Sequence, residues 1–328
     1  MNRITLVIHA SFDRIWPLAG DRLHELLSIH AEVDFIRLPQ DSELLLSKAV
    51  PDLDRVECLI SIGTPITEAC LRAMPSLKEA FIGIGRYAEM PSAAIGELLR
   101  GLGIRQLKFS SVGYWGQSVS EFALGLTIAA LRRIPQTHHS IMSSYEAWQY
   151  PLEQFGDDPR FVNGTVEGKR VRIVGAGNIA SRYAKFMHML GADVAVWDPF
   201  AADQAFHLAG SRRVRLLEHL LHDADIFVPM VPLTPATTGL INAEHIQALP
   251  TGALVVLVTR SQICDMAELT KRVLANELTL AADVYEEEPL PLGHPLLGRT
   301  NVVHTPHNAG RTKEANWKWA EMLAEQIV

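Results

Sequence analysis

Four residues in the carboxyl-terminal part of the chain have the side-chain types of an acid–base site for a small organic acid. They are Arg260, Asp283, Glu288 and His307, in the segments RSQICD, ADVYEEEP and TPHNAG. An arginine binds a carboxylate through a planar pair of donors, and a histidine transfers a proton near neutral pH. Together with a carboxylate, these groups can hold a 2-hydroxy or 2-keto acid and move its proton while a nicotinamide exchanges the hydride.

In the reducing direction, the predicted roles of these groups are distinct. Arg260 holds the carboxylate and the keto oxygen with a geometry that lysine cannot reproduce. Protonated His307 gives its proton to the carbonyl oxygen, while Glu288 supports the charged imidazole and fixes its orientation. Taken alone, such residues are more often ion pairs, solvated charges or structural histidines, so the prediction depends on finding them together.

A glycine-rich turn upstream predicts a dinucleotide site. The segment RVRIVGAGNIASRYAKFMHMLGADVAVWDP has the pattern of strand, turn, helix and second strand, with Gly175, Gly177 and Ala180 in a GxGxxA spacing. Gly175 allows a sharp turn, and Gly177 leaves room for a pyrophosphate at the amino end of the helix. Asp198 ends the second strand, where a carboxylate accepts hydrogen bonds from ribose hydroxyls and repels a 2′-phosphate. The sequence therefore predicts NAD as the cofactor rather than NADP.

The elements that must position these residues form two α/β units. Five apolar runs in the first part of the chain and seven in the second alternate with helical stretches, which predicts two doubly wound parallel sheets. Ligands of such sheets bind beyond the carboxyl ends of the strands, so we expect Arg260, Asp283 and His307 to lie there, in the crevice between the halves. The helix after the glycine turn is predicted to bury Ile179, Tyr183, Phe186 or Met187, and Leu190.

The composition excludes several classes of protein. A chain of 328 residues with 48% hydrophobic residues is long enough for two cores, and a formal net charge of −7 with scattered basic residues gives no reason to expect a nucleic-acid partner. No apolar run reaches the roughly 18 residues of a membrane span, and the amino terminus enters a strand pattern without a cleavage signal. We therefore expect a cytoplasmic location. Cys58, Cys70 and Cys264 are too few and too far apart for a disulfide framework or a metal site, so no metal is expected.

Over nearly its whole length, the chain resembles the D-isomer-specific 2-hydroxyacid dehydrogenase family. The matching segments follow one another in order: TPITEACLRAMPSLKEAFIGIGR, SVSEFALGLTIAALRRIP, GKRVRIVGAGNIA, DADIFVPMVPLTPATTGLIN, GALVVLVTRSQICD, AADVYEEEPLP and NVVHTPHNAG. The resemblance implies an NAD-dependent dehydrogenase with Arg260, Glu288 and His307 as its catalytic residues. Among three adjacent glutamates, the family pattern selects Glu288, which stands immediately before a proline.

The resemblance also implies which residues bind the two ligands. The substrate carboxylate is expected at the loop of Gly83, Ile84 and Gly85, which offers backbone N–H groups, together with Arg260. The cofactor-binding residues are expected to be Gly175, Gly177, Asn178, Ile179, Asp198, Pro232, Thr259 and Asp283, the last of them near the nicotinamide.

For the architecture, the resemblance implies a Rossmann NAD-binding domain, residues 118–311, inserted into a flavodoxin-like substrate domain of residues 1–117 and 312–328. The last helix-like stretch, KEANWKWAEMLAEQIV, then returns to the substrate domain. A helix over 118–134 and an arm reaching to 150, with Tyr145, Trp148 and Tyr150 as aromatic anchors, are expected to form the twofold interface of a homodimer.

Several positions depart from the family pattern and leave the substrate open. They are Tyr87, Trp115, Met230, Leu257, Ser261 and His304. Within the favoured interpretation, we expect activity of the hydroxypyruvate or glyoxylate reductase type. Two alternatives also stay open: a dinucleotide-sensing, corepressor-like interaction protein on the same fold, and a phosphite- or formate-type dehydrogenase. Formate-type members lack a glutamate at the position of Glu288, which counts against that alternative.

Overall fold

The computed structural model describes residues 3–85, 88, 93–108, 113–145, 148–149 and 158–327, and the chain divides into two compact units. Unit 1 comprises Met1–Tyr114 and Arg311–Val328, and unit 2 comprises Trp115–Gly310. The boundaries expected from the sequence, 117/118 and 311/312, lie three residues and one residue later than these divisions.

Unit 1 is a five-stranded sheet in the order β2-β1-β3-β4-β5, and every neighbouring pair of strands is parallel. With elements numbered along the chain, its strands are β1 Arg3–His9, β2 Glu32–Leu38, β3 Cys58–Ile62, β4 Glu79–Gly83 and β5 Arg105–Gln106. Its helices are α1 Ala10–Asp13, α2 Ala19–Ser28, α3 Leu46–Ala49, α4 Glu68–Arg72, α5 Ala93–Gly101 and, from the end of the chain, α12 Lys313–Ala324. Helix α12 packs on α2, and its fully buried Trp319 contacts the rings of Phe12 and Phe81.

Unit 2 is a seven-stranded parallel sheet in the order β12-β11-β10-β9-β6-β7-β8. Its strands are β6 Arg170–Val174, β7 Asp193–Trp197, β8 Arg212–Val214, β9 Ile226–Pro229, β10 Leu254–Leu257, β11 Thr279–Ala282 and β12 Val302–His304. Its helices are α6 Gly116–Leu131, α7 Ile134–Ile141, α8 Asn178–Met189, α9 Asp203–Leu208, α10 Ala243–Gln247 and α11 Met266–Leu274. Strand β6 lies inside the sheet, with β7 and β8 on one side and the later strands on the other, as in dinucleotide-binding sheets.

The strands of unit 2 are buried on both faces because their side chains alternate between two hydrophobic cores. Ile173 and Val256 pack in the core shared with α6 and α8, whereas Val174 and Leu257 pack in the core shared with α11. Helix α6 is tied to α8 by a hydrogen bond of 2.8 Å between the Thr127 and Tyr183 hydroxyls. The strand orders confirm the prediction of two doubly wound parallel α/β units. Within the described residues, no helix is long and apolar enough to span a membrane.

Candidate active site

The turn after β6 has a backbone that only glycine fits. Gly175 has φ +102, in the region that side chains disfavour. A Cβ at this position would lie 2.7 Å from the backbone oxygen of Met230, in the loop after β9. The chain therefore turns from β6 toward α8 at Gly175, where the sequence predicted a glycine turn.

The start of α8 has the features of an anion-binding helix terminus. Gly177 precedes the helix with an extended backbone, φ −72 and ψ −173, and no heavy atom lies within 4 Å of the position of a Cβ there. Asn178 and Ile179 are the first residues of α8, whose leading N–H groups and dipole favour an anion. The small side chain of Ala180 is buried in the core where α8 packs on the sheet.

Asp198 connects the glycine turn to the turn after β7. Its Oδ2 accepts a hydrogen bond of 2.8 Å from the Ala176 N–H, and its Oδ1 accepts bonds of 2.9 and 3.1 Å from the N–H groups of Phe200 and Ala201. A carboxylate has about four lone-pair sites, so these three bonds leave capacity for a ribose hydroxyl. The acid is half-buried and stands where the adenosine ribose of a dinucleotide is expected.

A basic residue also lies beside Asp198, although none follows it closely in the sequence. Strand β8 pairs with β7, and Arg213 from β8 lies with Nη2 at 3.4 Å from the Asp198 backbone oxygen. Its Nη1 donates a hydrogen bond of 2.6 Å to Asp203, and its guanidinium stacks over Phe206 at 5.0 Å from the ring centroid. The arginine is thus already engaged with a carboxylate and a ring.

Two further predicted cofactor residues lie at the carboxyl ends of neighbouring strands. Pro232 is exposed in the loop after β9, and its backbone oxygen accepts a hydrogen bond of 2.5 Å from the Thr237 hydroxyl. Thr259 follows β10, is 9% exposed, and donates from its hydroxyl to the Pro229 backbone oxygen at 3.4 Å. Both belong to the sheet edge onto which the glycine turn also opens.

Most of the Arg260 guanidinium has no hydrogen-bond partner in the part of the chain that the structure describes. It follows Thr259 with extended backbone angles, φ −147 and ψ 137, and its side chain is half-buried. One nitrogen, Nη1, donates a hydrogen bond of 2.8 Å to the Thr259 backbone oxygen. Among the residues that the structure describes, the other guanidinium nitrogens make no hydrogen bond or ion pair, so they are available for a carboxylate and a carbonyl oxygen.

Asp283 holds the loop that carries His307. The carboxylate is fully buried directly after β11, and its Oδ1 accepts hydrogen bonds from the Thr305 hydroxyl at 2.6 Å and the Asn308 N–H at 3.0 Å. Its Oδ2 accepts one from the Ala309 N–H at 2.9 Å. Between these anchors, His307 has φ +50, a left-handed conformation that is uncommon for a residue with a side chain. The buried carboxylate thus bonds a side chain before the histidine and the backbone N–H groups of the two residues after it.

Glu288, the last of the three adjacent glutamates, contacts His307. Its Oε2 lies 2.6 Å from His307 Nδ1, and its Oε1 accepts a hydrogen bond of 3.0 Å from the Tyr285 N–H. The side chains are 21% exposed for the histidine and 26% for the glutamate, so the pair is reachable from solvent. Glu286 and Glu287 are exposed. The structure therefore brings together the pair that the sequence singled out.

Three of these groups follow three adjacent strands. Arg260 comes after β10, Asp283 after β11 and His307 after β12, and the sheet order places β11 between the other two. Since the strands are parallel, all three groups lie at the same edge of the sheet. A guanidinium with donors available among the described residues and an imidazole bonded to a carboxylate lie at this edge, where they can bind an organic acid and exchange a proton with it.

The predicted substrate loop belongs to unit 1 and is built on glycines. A Cβ at Gly83 would lie 2.9 Å from the Cβ of Ala88, and Gly85 has φ +65 with open space around its Cβ position. Ile84 between them is 43% exposed. This loop follows β4, at the carboxyl edge of its own sheet.

The positions that depart from the family pattern have different surroundings. Met230 and Leu257 are buried in the two cores of unit 2, so these departures concern packing. Ser261 begins a 3-10 turn with its side chain buried, and its hydroxyl has no hydrogen-bond partner among the described residues. His304 ends β12 on the exposed side, and Tyr87 lies outside the described residues.

Two groups in the site were not singled out from the sequence. Thr305 contacts Asp283, and its only sequence signal is its place two residues before His307. Arg213 reaches Asp198 through strand pairing, which the local sequence does not reveal. Within the described parts of the chain, no group of three or more His, Cys, Asp or Glu side chains could hold a metal ion.

Residues 124–309 match the family model described as "D-isomer specific 2-hydroxyacid dehydrogenase, NAD binding domain". A D-3-phosphoglycerate dehydrogenase of Methanocaldococcus jannaschii is 32% identical over 94% of this chain and 56% of its own length. A glyoxylate reductase of Thermofilum pendens is 29% identical over 88% of this chain and 81% of its own length. The chain also matches 38% of the length of a D-3-phosphoglycerate dehydrogenase of Archaeoglobus fulgidus, so it spans only about half of such relatives.

Solved structures share the fold of the whole chain. A phosphoglycerate oxidoreductase from Rhizobium etli has a TM-score of 0.73 at 23% identity, with 98% of this chain and 94% of that chain covered. The apo D-lactate dehydrogenase of Escherichia coli has a TM-score of 0.67 at 20% identity, with 98% and 95% covered. At these identities the likeness concerns the fold alone.

Proposed function

Because the chain belongs to the D-isomer-specific 2-hydroxyacid dehydrogenase family, we propose that it is an NAD(H)-dependent oxidoreductase that interconverts a D-2-hydroxy acid and its 2-keto acid. The observation that carries this proposal is the contact of 2.6 Å between His307 and Glu288, at the same sheet edge as the available guanidinium of Arg260. The group that transfers the proton and the group that binds the carboxylate must both reach the same small substrate, so they must lie at the same edge of the sheet.

The proposed mechanism divides the work among three side chains. When bound, NADH supplies the hydride. Arg260 holds the substrate carboxylate and stabilises the negative charge that develops on the keto oxygen. His307 bonds Glu288 through Nδ1 and transfers a proton to that oxygen from Nε2, while the carboxylate keeps the ring oriented and supports its charge. In the oxidising direction, the neutral imidazole takes the proton back.

Asp198 is proposed to select NAD(H) over NADP(H). A 2′-phosphate would meet its carboxylate, and the neighbouring Arg213 is already paired with Asp203. We expect NADH to be preferred by at least about tenfold, or about 1.4 kcal/mol. The other proposed cofactor contacts are those predicted from the sequence: Gly175, Gly177, Asn178, Ile179, Pro232, Thr259 and Asp283.

For the substrate, the proposal is a small 2-keto acid of the glyoxylate or hydroxypyruvate type. In unit 1, the backbone N–H groups at Gly83, Ile84 and Gly85 are the proposed carboxylate contacts, as the family resemblance implies. Relatives named as glyoxylate reductase and D-3-phosphoglycerate dehydrogenase support this class of acid without choosing one member.

We also propose that the chain forms a homodimer and is located in the cytoplasm. The segment from α7 to residue 148 exposes Ile134, Ile141, Met142, Tyr145 and Trp148, each by 49% or more. Apolar and aromatic side chains grouped in this way are typical of a subunit interface.

The proposed cytoplasmic location is supported by the cysteines. Cys58, Cys70 and Cys264 are all free and buried, which fits a reducing compartment.

The experiment that tests the proposed function is a panel of 2-keto acids assayed with NADH and with NADPH. Loss of absorbance at the nicotinamide band measures turnover of glyoxylate, pyruvate, hydroxypyruvate and phosphohydroxypyruvate. We expect turnover with NADH for at least one unphosphorylated acid. Tight NADH binding without turnover of any acid would favour the dinucleotide-sensing alternative, and NAD reduction by formate or phosphite alone would favour the other.

A further inference from the structure

Unit 1 contains a cavity of about 190 Å³ between its first two strands and the segment that leads to β3. The walls are formed by residues of β1 and β2 and by the segment 50–56. Arg3 and Thr5, which line it, belong to the amino-terminal half of β1. The cavity therefore lies away from the carboxyl ends of the strands, where the Gly83–Gly85 loop follows β4.

The pairing of β1 with β2 turns both charged and apolar side chains toward this cavity. Thr5 pairs with Asp34 in the strand register, so both side chains project from one face of the sheet. Arg3 and Ile36 stand two residues away on the same strands and project from that face as well. All four residues line the cavity.

The inner wall of the cavity is apolar. Val50 and Val56 line it, are 5% and 2% exposed, and belong to the hydrophobic core that also contains Val7 and Leu59. Ile36 packs against the same core. Since an apolar cavity of about 150 Å³ can hold a benzene molecule, the space here accepts a short aliphatic group.

The more exposed lining residues carry charges of both signs. Arg3 Nε donates a hydrogen bond of 2.7 Å to Asp34 Oδ2. This bond and, more weakly, the charge of Asp52 raise the pKa of the Arg3 guanidinium, so the Asp52 carboxylate is within electrostatic reach of it. Asp52 and Arg55 are exposed, and among the residues that the structure describes their side chains make no hydrogen bond or ion pair.

Two cations and two anions around one small cavity fit a ligand that carries both charges. A carboxylate alone would be repelled by Asp34 and Asp52, and an amine alone would be repelled by Arg3 and Arg55. A zwitterion can pair each of its charges with a group of opposite sign. The unpaired guanidinium offers five N–H donors, and the unpaired carboxylate offers about four acceptor sites.

We propose that this cavity binds a free α-amino acid with a short aliphatic side chain, such as valine or leucine. The Arg55 guanidinium binds the carboxylate, and the Asp52 carboxylate binds the ammonium group. The pair of Arg3 and Asp34 lies beside both charges, and the aliphatic side chain packs on the apolar inner wall. This binding site is independent of the proposed dehydrogenase activity.

Isothermal titration calorimetry of the full chain with L-valine and L-leucine tests the site. We expect saturable binding of at least one of them, with one molecule per chain. Isobutylamine and 3-methylbutanoate each keep the branched carbon chain of valine and only one of its two charges. Both are expected to bind at least about tenfold more weakly than L-valine.

Variants at the two unpaired groups locate the binding. Arg55→Met and Asp52→Asn are each expected to raise the Kd of the amino acid by about tenfold, because each removes one charged partner of the ligand. Lys48→Met and Asp41→Asn, at exposed positions of unit 1 outside the cavity lining, are the matched controls and should leave the Kd unchanged. Thermal unfolding checks that every variant keeps its fold.

Several outcomes would overturn the site. They are the absence of saturable heat with both amino acids, a Kd unchanged in either Arg55→Met or Asp52→Asn, and equally tight binding of 3-methylbutanoate, which would show a simple carboxylate site. Loss of amino-acid binding in the presence of a saturating 2-keto acid would place the ligand at the substrate site instead. Because the calorimetry needs no turnover, a failure of the proposed function would leave its result unaffected.

Discussion

The strained histidine is the feature that most clearly separates this site from a surface ion pair. His307 has φ +50, and a non-glycine residue in that region costs of the order of 1–3 kcal/mol. Such strain persists when the surroundings fix it, and here the buried Asp283 bonds the N–H groups of the next two residues. Pairing with Glu288 then orients the ring itself.

Asp283→Asn tests whether this carboxylate acts through His307 or on the cofactor. An amide has only one acceptor oxygen, so one anchor of the loop is lost, and a misplaced ring is expected to lower kcat by about tenfold to a hundredfold. NADH affinity, followed by nicotinamide fluorescence, should change far less. Asp265→Asn, at a helix cap on α11, is the control. Weaker NADH binding at unchanged kcat would instead support the direct cofactor contact predicted from the sequence.

Glu288→Gln is expected to change the pH dependence of keto-acid reduction. Reduction needs the imidazolium, and a neutral amide supports that charge less than a carboxylate. The high-pH limit of kcat/KM should therefore move to lower pH, with a smaller loss of rate in acid. Glu286→Gln and Glu287→Gln, at exposed positions, are matched controls. A shift in either control, with none in Glu288→Gln, would show that another glutamate acts on the histidine.

At the scale of elements, the strands were predictable and the contacts between them were not. Buried parallel strands are continuous apolar runs, and such runs marked five strands in unit 1 and seven in unit 2. Leu190 was predicted to be inward but is 44% exposed, because α8 ends at Met189 and the chain turns at Gly191. The contact of Arg213 with Asp198 depends on strand pairing, which no local pattern encodes.

Arg172 is a second case in which an element is stabilised by contacts from distant segments. It stands in β6 at 1% exposure, bonds Asp223 through Nε and Nη2 at 2.8 and 2.6 Å, and bonds Asp193 through Nη2 at 2.9 Å. Hydrogen bonds from Arg172 hold the pKa of Asp223 below its usual value. The cluster therefore joins β6 to the segments that begin β7 and precede β9.

Arg172→Met is expected to lower the free energy of unfolding by about 1–3 kcal/mol, less than for a fully buried pair because both aspartates are partly exposed. A carboxyl whose folded pKa is lowered stabilises the fold above its unfolded pKa and loses that effect as pH falls through the folded pKa. The difference from wild type in urea unfolding should therefore shrink in acid. Arg170→Met breaks a more exposed pair with Asp225 and should cost less. An equal loss in both variants, or no pH dependence, would contradict this account.

At the scale of the whole molecule, apolar side chains of α6 and of the segment after it are left only partly covered. Helix α6 was predicted to be apolar around its circumference; Leu126 and Leu131 are buried, whereas Phe122, Leu124 and Ile128 are only partly buried within unit 2. The following segment carries the exposed group that ends at Trp148. A second copy of the chain is the proposed partner of this surface.

Light scattering at several concentrations tests the proposed homodimer. The wild-type chain should have a dimer mass, and the double change Ile141→Ser and Trp148→Ser should shift it toward the monomer because it removes two exposed apolar anchors. Leu292→Ser, at a residue that is 97% exposed elsewhere in unit 2, is the control. A monomer mass for wild type at every concentration would refute the dimer.

The most direct test of the central claim is the rate of keto-acid reduction by His307→Ala with NADH. Loss of the proton donor is expected to lower kcat by roughly two to four orders of magnitude while NADH binding is largely retained. His304→Ala, which changes the nearest other histidine of the segment, should keep most of the activity. Near-normal turnover by His307→Ala, or loss of turnover in His304→Ala instead, would contradict the assignment of His307 as the acid–base residue.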